Sequence, residues 1–253
     1  MRASVVTAWI VLSLGLGVVD ARSAGLPENG EDVEAAEPLA IEETVPTERG
    51  HWAVRVQSDL PLRAADGVEE RVASQGGKVY IGLRRGVSAE IGLPFVSNRT
   101  AGETRSGFGG LGLGLKAQLP FEAPVVVRGE VQLPASEEAF GESSAEFEVA
   151  AATLVRSGAW TLQGGPGYSV LEDGSERNVF VESSLAAAVG ERWHALLEVI
   201  ALRELETQTN SLAVGPGVRA GFAGNWSLAA GVLSRHVESA HDWRALLQVQ
   251  RDF

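Results

Sequence analysis

The chain ends "AHDWRALLQVQRDF", in which Trp243, Ala245, Leu247 and Val249 fall on one face, Arg251 breaks the series, and Phe253 is the last residue. Asp242, Arg244, Leu246, Gln248, Gln250 and Asp252 fall on the other face. A period of two with one apolar face predicts a β-strand. The same period runs almost without interruption from His51. It predicts strands at 51–57, 76–84, 87–96, 107–119, 123–134, 144–156, 159–171, 178–189, 192–205, 209–222, 225–236 and 241–253. "ERWHALLEVIALRELE" has helical propensity. Read with period two, it places Trp193, Ala195, Leu197, Val199 and Ala201 on one face and His194, Glu198 and Glu204 on the other, and its flanking turns favour a strand.

Strand length narrows the architecture. Soluble sandwich strands run to about five or six residues, whereas tilted membrane-spanning strands need about nine to eleven. Most of these segments reach the longer range. Tight links at 84–86, 120–124, 156–159, 190–192 and 223–225 alternate with longer ones at 58–75, 97–106, 135–143 and 172–177. Short turns at one end and longer loops at the other predict an all-β fold: a transmembrane antiparallel up-and-down β-barrel of about twelve strands, of the bacterial outer-membrane type, over residues 51–253. Trp52, Trp160, Trp193 and Trp226 each open an odd-numbered strand of this set, and Phe222 and Phe253 each close an even one. With a periplasmic N-terminus all six fall at one membrane boundary, the place of an aromatic girdle. Phe95, Phe108 and Trp243 then mark the outer rim.

Parity separates the two faces. The outward set includes Val79, Ile81, Leu83, Ile91, Leu93, Leu113, Leu115, Val127 and Val149. The inward set supplies the candidate lumen lining: Arg55, Lys78, Glu90, Lys116, Arg128, Glu130, Glu146, Glu148, Glu198, Arg219 and Arg244. Charge on a lipid face costs about 2–4 kcal/mol per Arg or Lys, so the lumen is its natural place. The two signs are nearly balanced. That suits either a charged pore lining or salt-bridged ladders that fill and stiffen the interior, and no single-sign ring predicts strong ion selectivity. Gly110, Gly112 and Gly114 leave three positions without side chains on the lumen face, to open a passage or accept a neighbour's bulk. Pro166 and Pro216 stand in mid-strand and predict kinks or bulges.

The N-terminus reads differently. One Arg precedes an uncharged apolar run from Ala3 to Val19 and then small residues, the pattern of a secretory signal over 1–21 with cleavage near 21–24. Residues 22–50 are acidic, rich in Ala, Pro and Gly, and without period, which predicts a disordered tail. The tail holds about half of the formal net charge of −12. The chain has no basic stripe for nucleic acid. It has no cysteine, so disulfides, Cys-ligated metals and a lipoprotein anchor are excluded. A mean hydropathy near zero does not argue against a membrane barrel, whose two faces cancel.

The stretch "SAEIGLPFVSNRTAGETRSGFGGLGLGLKAQLP" (88–120) resembles the outer-membrane family named for a phenol-degradation MetA protein, whose members are often labelled "transporter". The resemblance rests on Gly107, Gly109, Leu111, Leu113, Gly114 and Lys116; Gly110 stands where the family has Asp, and Ala117 where it has an aromatic. It implies outer-membrane passage, with hydrophobic or aromatic compounds as the solutes.

The expectation is therefore a passive channel for small solutes. Its partners would be outer-membrane lipid, the barrel-assembly machinery reading the strand that ends at Phe253, and an unidentified solute. The alternative is a closed structural or surface-interaction barrel. Ser234 and His236 share a face with Asp242 one hairpin away, but their order matches no barrel hydrolase, so no catalytic residue is assigned. Four scattered histidines suggest no metal site, and no cofactor is implied. "NRT" at 98–100 matches a glycosylation acceptor by chance.

Overall fold

The structure, a computed structural model, describes residues 46–63, 71–100, 103–121, 124–134, 144–223, 225–237 and 240–253. The signal over 1–21 and the acidic stretch up to residue 45 lie outside these residues. Thirteen strands follow in order: β1 (Trp52–Arg63), β2 (Arg71–Arg84), β3 (Val87–Thr100), β4 (Glu103–Phe108), β5 (Gly112–Leu119), β6 (Val125–Gln132), β7 (Glu146–Ser157), β8 (Trp160–Leu171), β9 (Arg177–Ala188), β10 (Trp193–Glu204), β11 (Asn210–Phe222), β12 (Trp226–Val237) and β13 (Ala240–Asp252). Each pairs antiparallel with its neighbours in the sequence, except that β4 and β5 both pair with β3 and not with each other, and β1 pairs with β13. β4 lies along residues 95–100 of β3 and β5 along residues 87–92, so the two are halves of one stave. The result is a closed barrel of twelve staves.

Among the described residues the half-stave β4 is paired to β3 alone. Closure pairs the staves around the ring, the arrangement that lets sheet cross a bilayer. Its seam is tied at the chain's ends. Trp52 N donates to the Phe253 carbonyl (3.2 Å) and Phe253 N to the Trp52 carbonyl (2.8 Å). The two rings stack with centroids 3.8 Å apart and planes 2° from parallel, and the Arg251 guanidinium lies 4.3 Å over Phe253. Trp160, Trp193, Phe222 and Trp226 are likewise exposed at the same end of the barrel. At the opposite end Phe95 and Phe108 meet edge to face, centroids 5.5 Å apart.

Turn chemistry sets the short links. Gly86 (φ +70°) and Gly158 (φ +58°) take the left-handed conformation at the β2–β3 and β7–β8 turns, which a side chain would strain. Periodicity ends the first strand at residue 57, where Ser58, Asp59 and Pro61 blur the alternation. β1 nonetheless runs to Arg63, with a register shift between Pro61 and Arg63. Most of 58–75 and of 97–106 is strand rather than loop. The reason is the partner. β13 and β3 present backbone donors and acceptors that must be met, so the adjoining chain extends whatever its side chains.

The mid-strand prolines do not make bulges. At Pro166 the β7–β8 ladder is open between the pairs Ala150–Gly167 and Thr153–Gly164, and the β8–β9 ladder continues unbroken. Pro216 does the same between β11 and β12, while β10 remains paired to it. A residue without N–H removes a rung on one side without moving the register. At the N-terminal end, Thr47 and Glu48 lay their carbonyls over the lumen face of Gly82, where no Cβ could fit, and Pro46 is buried.

Candidate functional site

The strand register sets like beside like in the lumen. Arg55 pairs with Lys78, Lys116 with Arg128, and Glu130 with Glu148. Like charges directly opposite repel, so the side chains reach diagonally to the opposite sign. Lys116 Nζ lies 3.2 Å from Glu90 Oε2, and this pair is almost fully buried, at 1% and 3% exposure. Arg128 pairs with Glu148 and stands 3.9 Å from Glu182. Lys78 Nζ spans two staves to Glu130 Oε2 at 3.5 Å. Nearer the outer mouth, Arg244 Nε donates to Asp59 Oδ1 at 2.6 Å, and Arg235 pairs with Asp242.

A second cluster joins the walls in the half nearer the Trp52–Phe253 end. Arg55 Nε donates to Gln250 Oε1 (2.9 Å). With its amide oxygen turned inward, Gln248 accepts from Arg55 Nε (2.8 Å) and Arg219 Nη2 (3.0 Å). Arg219, at 0% exposure, also donates from Nη1 to Ser227 Oγ (3.2 Å). Tyr80 lies between two cations, Arg55 and Lys116, each 4.9 Å from its ring centre. Glu198 is buried, with Ser184 and Gly215 opposite it in the register. Glu146 faces inward half-buried at the outer end of β7.

The lumen glycines are where charged side chains lie flat. A Cβ at Gly114 would come within 2.5 Å of the Glu90 side chain; one at Gly112 would meet Glu130 (3.0 Å); one at Gly92 would meet Lys78 (3.2 Å). Gly110 accepts a bond from Gln132 Nε2 at 3.1 Å through its carbonyl, and the space a Cβ would need there holds the Leu133 carbonyl. This accounts for the missing Asp at position 110. Phe180 likewise lies over Gly167.

All eleven lining residues named from the sequence face the lumen, and the structure joins nine of them through the contacts above. The interior's other wall was not named from the sequence, although parity puts Leu196 and Ile200 with Glu198 and Leu246 with Arg244. There, Ala186, Leu196, Ala213, Ala229, Leu233 and Leu246 form an apolar cluster with Ile200, on β9–β13. Gln248 and Gln250 were legible, because they share the parity of Arg244.

At the outer mouth two loops are clipped together. Arg177 N donates to Glu206 Oε2 (2.8 Å), and the Arg177 guanidinium bonds the other carboxylate oxygen. That hydrogen bond holds Glu206 below the ordinary carboxylate range. A depressed folded value means the clip's contribution is complete at neutral pH and is lost as pH falls through that lowered value. Protection of the Arg177 amide against hydrogen exchange should therefore persist to acid pH and then drop, whereas Arg177→Gln should show weak protection throughout.

Ser234 Oγ lies 3.3 Å from His236 Nε2 and 2.8 Å from His241 Nε2. Asp242 points to the other side of the sheet and engages Arg235 (2.7 Å), so it orients neither imidazole, and Ser234, His236 and Asp242 do not assemble as a triad. Among the described residues no group of three or more His, Asp or Glu gathers to hold a metal.

The barrel has known counterparts. The family model described as "Putative MetA-pathway of phenol degradation" matches residues 65–243. The chain belongs to that family. Among curated proteins none matches the sequence. Among solved structures, an outer-membrane channel from Pseudomonas putida F1 is similar over 85% of this chain and 100% of its own, with a TM-score of 0.65 and 13% identity. The CymD monoaromatic hydrocarbon channel is similar over 81% of this chain and 88% of its own, with a TM-score of 0.51 and 9% identity. The KdgM porin is similar over 78% and 97%, with a TM-score of 0.53 and 8% identity. At these identities the likeness is one of fold, that of the outer-membrane barrel.

Proposed function

We propose that this family member is a passive outer-membrane channel for small solutes with an apolar, often aromatic, body. It would be exported by its N-terminal signal and inserted by the assembly machinery through the strand ending at Phe253. The observation that carries this reading is a lumen with two unlike walls. The staves from β2 to β7 carry the Lys78–Glu130, Lys116–Glu90 and Arg128–Glu148 ion pairs, and β9–β13 carry the apolar cluster around Leu196, Leu233 and Leu246 together with fewer charges, among them Arg219 and the Arg235–Asp242 pair. An amphipathic conduit lets a ring slide along one side while its polar substituents stay solvated by the other. The family's description and the channel-forming neighbours of the same fold support the reading, and with them the view that the barrel is not an enzyme.

A closed structural barrel is the second reading. It is favoured by the complete burial of Arg219, Lys116, Tyr80 and Gln248 in the periplasmic half. Planar-bilayer current and liposome swelling, with the chain starting at residue 22 and again at residue 46, separate the two. A channel gives steady unitary current. Arg128→Ala should then enlarge that current and move the reversal potential toward cations, because Glu148 and Glu182 lose their shared counter-charge. Silence from both chains, with heat-modifiable gel migration confirming the fold, would establish the closed barrel.

A further inference from the structure

We propose that His236 and His241 form a cross-strand site for a divalent transition-metal ion of the copper, nickel and zinc class, at the outer end of the β12–β13 hairpin. The register places the two residues directly opposite each other. Their rings stack with centroids 4.1 Å apart and planes 10° from parallel. Both Nε2 atoms approach one atom, Ser234 Oγ, at 3.3 and 2.8 Å. Two imidazole nitrogens aimed at one spot are a chelating pair that small ring rotations complete, since metal–nitrogen bonds are about 2.0–2.1 Å long.

The backbone beneath is held. Arg235 and Asp242, the neighbours of the two histidines, are themselves opposite each other and form a two-point contact on the lumen side, at 3.3 and 2.7 Å. That contact pins the hairpin and keeps the only nearby carboxylate among the described residues off the outer face. With nitrogen donors and a hydroxyl but no carboxylate among the described residues, the site suits borderline metals over calcium and magnesium, which demand oxygen-rich shells. Trp243, 5.2 Å from His241 and one rung nearer the membrane, belongs to the outer aromatic rim. The histidines thus stand on the watery side of that rim, open to ions. Two protein ligands leave coordination positions for water or for an external group. The remaining histidines do not compete: His51 precedes β1 and His194 opens β10, both at the far end of the barrel.

The test is titration of Cu2+, Ni2+ and Zn2+ into the folded chain in detergent micelles, without an added polyhistidine tag. One saturable site is expected, tightest for Cu2+ and unaffected by excess Ca2+ or Mg2+. His236→Asn or His241→Asn should weaken it at least tenfold, and His51→Asn should not change it. The Cu2+ spectrum of the unaltered protein should show coupling to two imidazole nitrogens, a readout that survives even if a variant misfolds. Absence of saturable binding, one nitrogen only, or full affinity in the doubly substituted chain would each overturn the site.

Discussion

Replacing Lys116 with Met is expected to cost the barrel about 3–5 kcal/mol, the usual consequence of stranding a buried charge. Glu90 is 3% exposed, lies on the bare surface of Gly114, and has Lys116 at 3.2 Å as its counter-ion. Without the ammonium, the Glu90 carboxyl group loses its counter-ion in a buried place, or must drag water into that part of the lumen. Lys116 also faces Tyr80, so a cation–ring contact disappears with it. The doubly substituted Glu90→Gln, Lys116→Met chain should recover most of the loss, because removing both partners of a buried pair is often neutral or stabilising. Urea unfolding in micelles, followed by tryptophan fluorescence, measures both. A single-variant loss below about 1 kcal/mol, the worth of an exposed ion pair, would mean that the pair is hydrated and the lumen wetter than its geometry implies.

The second large effect is expected at Gly165. A Cβ built there falls inside contact distance of the Ala151 carbonyl and 3.0 Å from Ala152 Cα, both backbone atoms that cannot swing aside. Overpacking against movable side chains costs about 1–3 kcal/mol, and Gly165→Val should exceed that range and leave little folded barrel. Its neighbour Gly164 holds φ +146°, so the pair before Pro166 is constrained by backbone as well as by space. Gly76, with nothing within 4 Å of its missing Cβ, is the control: Gly76→Ala should fold as the parent does. Heat-modifiable migration of the two variants decides it. Normal folding of Gly165→Val would mean that the open rungs at Pro166 let the stave move aside.

Much of this barrel could be read from alternation alone. Period two located the staves, and parity sorted Arg55, Glu90, Lys116 and Arg219 to the inside, because a bilayer tolerates charge on one face only. "GGPGYSV" was legible as a departure, but whether a proline bulges a strand or merely opens a rung depends on the neighbour that stays paired. The partners of the charges were not legible either. Register sets Lys116 beside Arg128 and Glu130 beside Glu148, and only the diagonal reach over Gly114, Gly112 and Gly92 shows how the repulsion is relieved. The apolar wall was passed over although it could be read in the same way: Leu196, Ile200 and Leu233 are as apolar as the lipid-facing residues beside them, and only the parity they share with Glu198 and Arg235 turns them inward.

The Trp52–Phe253 stack has a consequence for biogenesis. Every other pairing joins strands adjacent or one apart in the sequence, but this seam joins the two ends of the domain, with Arg55 and Gln250 separated by 195 residues. No barrel can close until its last residue has been made. The growing chain therefore carries two raw sheet edges for its whole synthesis, which are templates for aggregation, and the pairing that removes them is the least local and slowest kind. Pairing β1 with β13 removes both edges at once, and the Trp52–Phe253 stack is the latch that holds the closed ring shut.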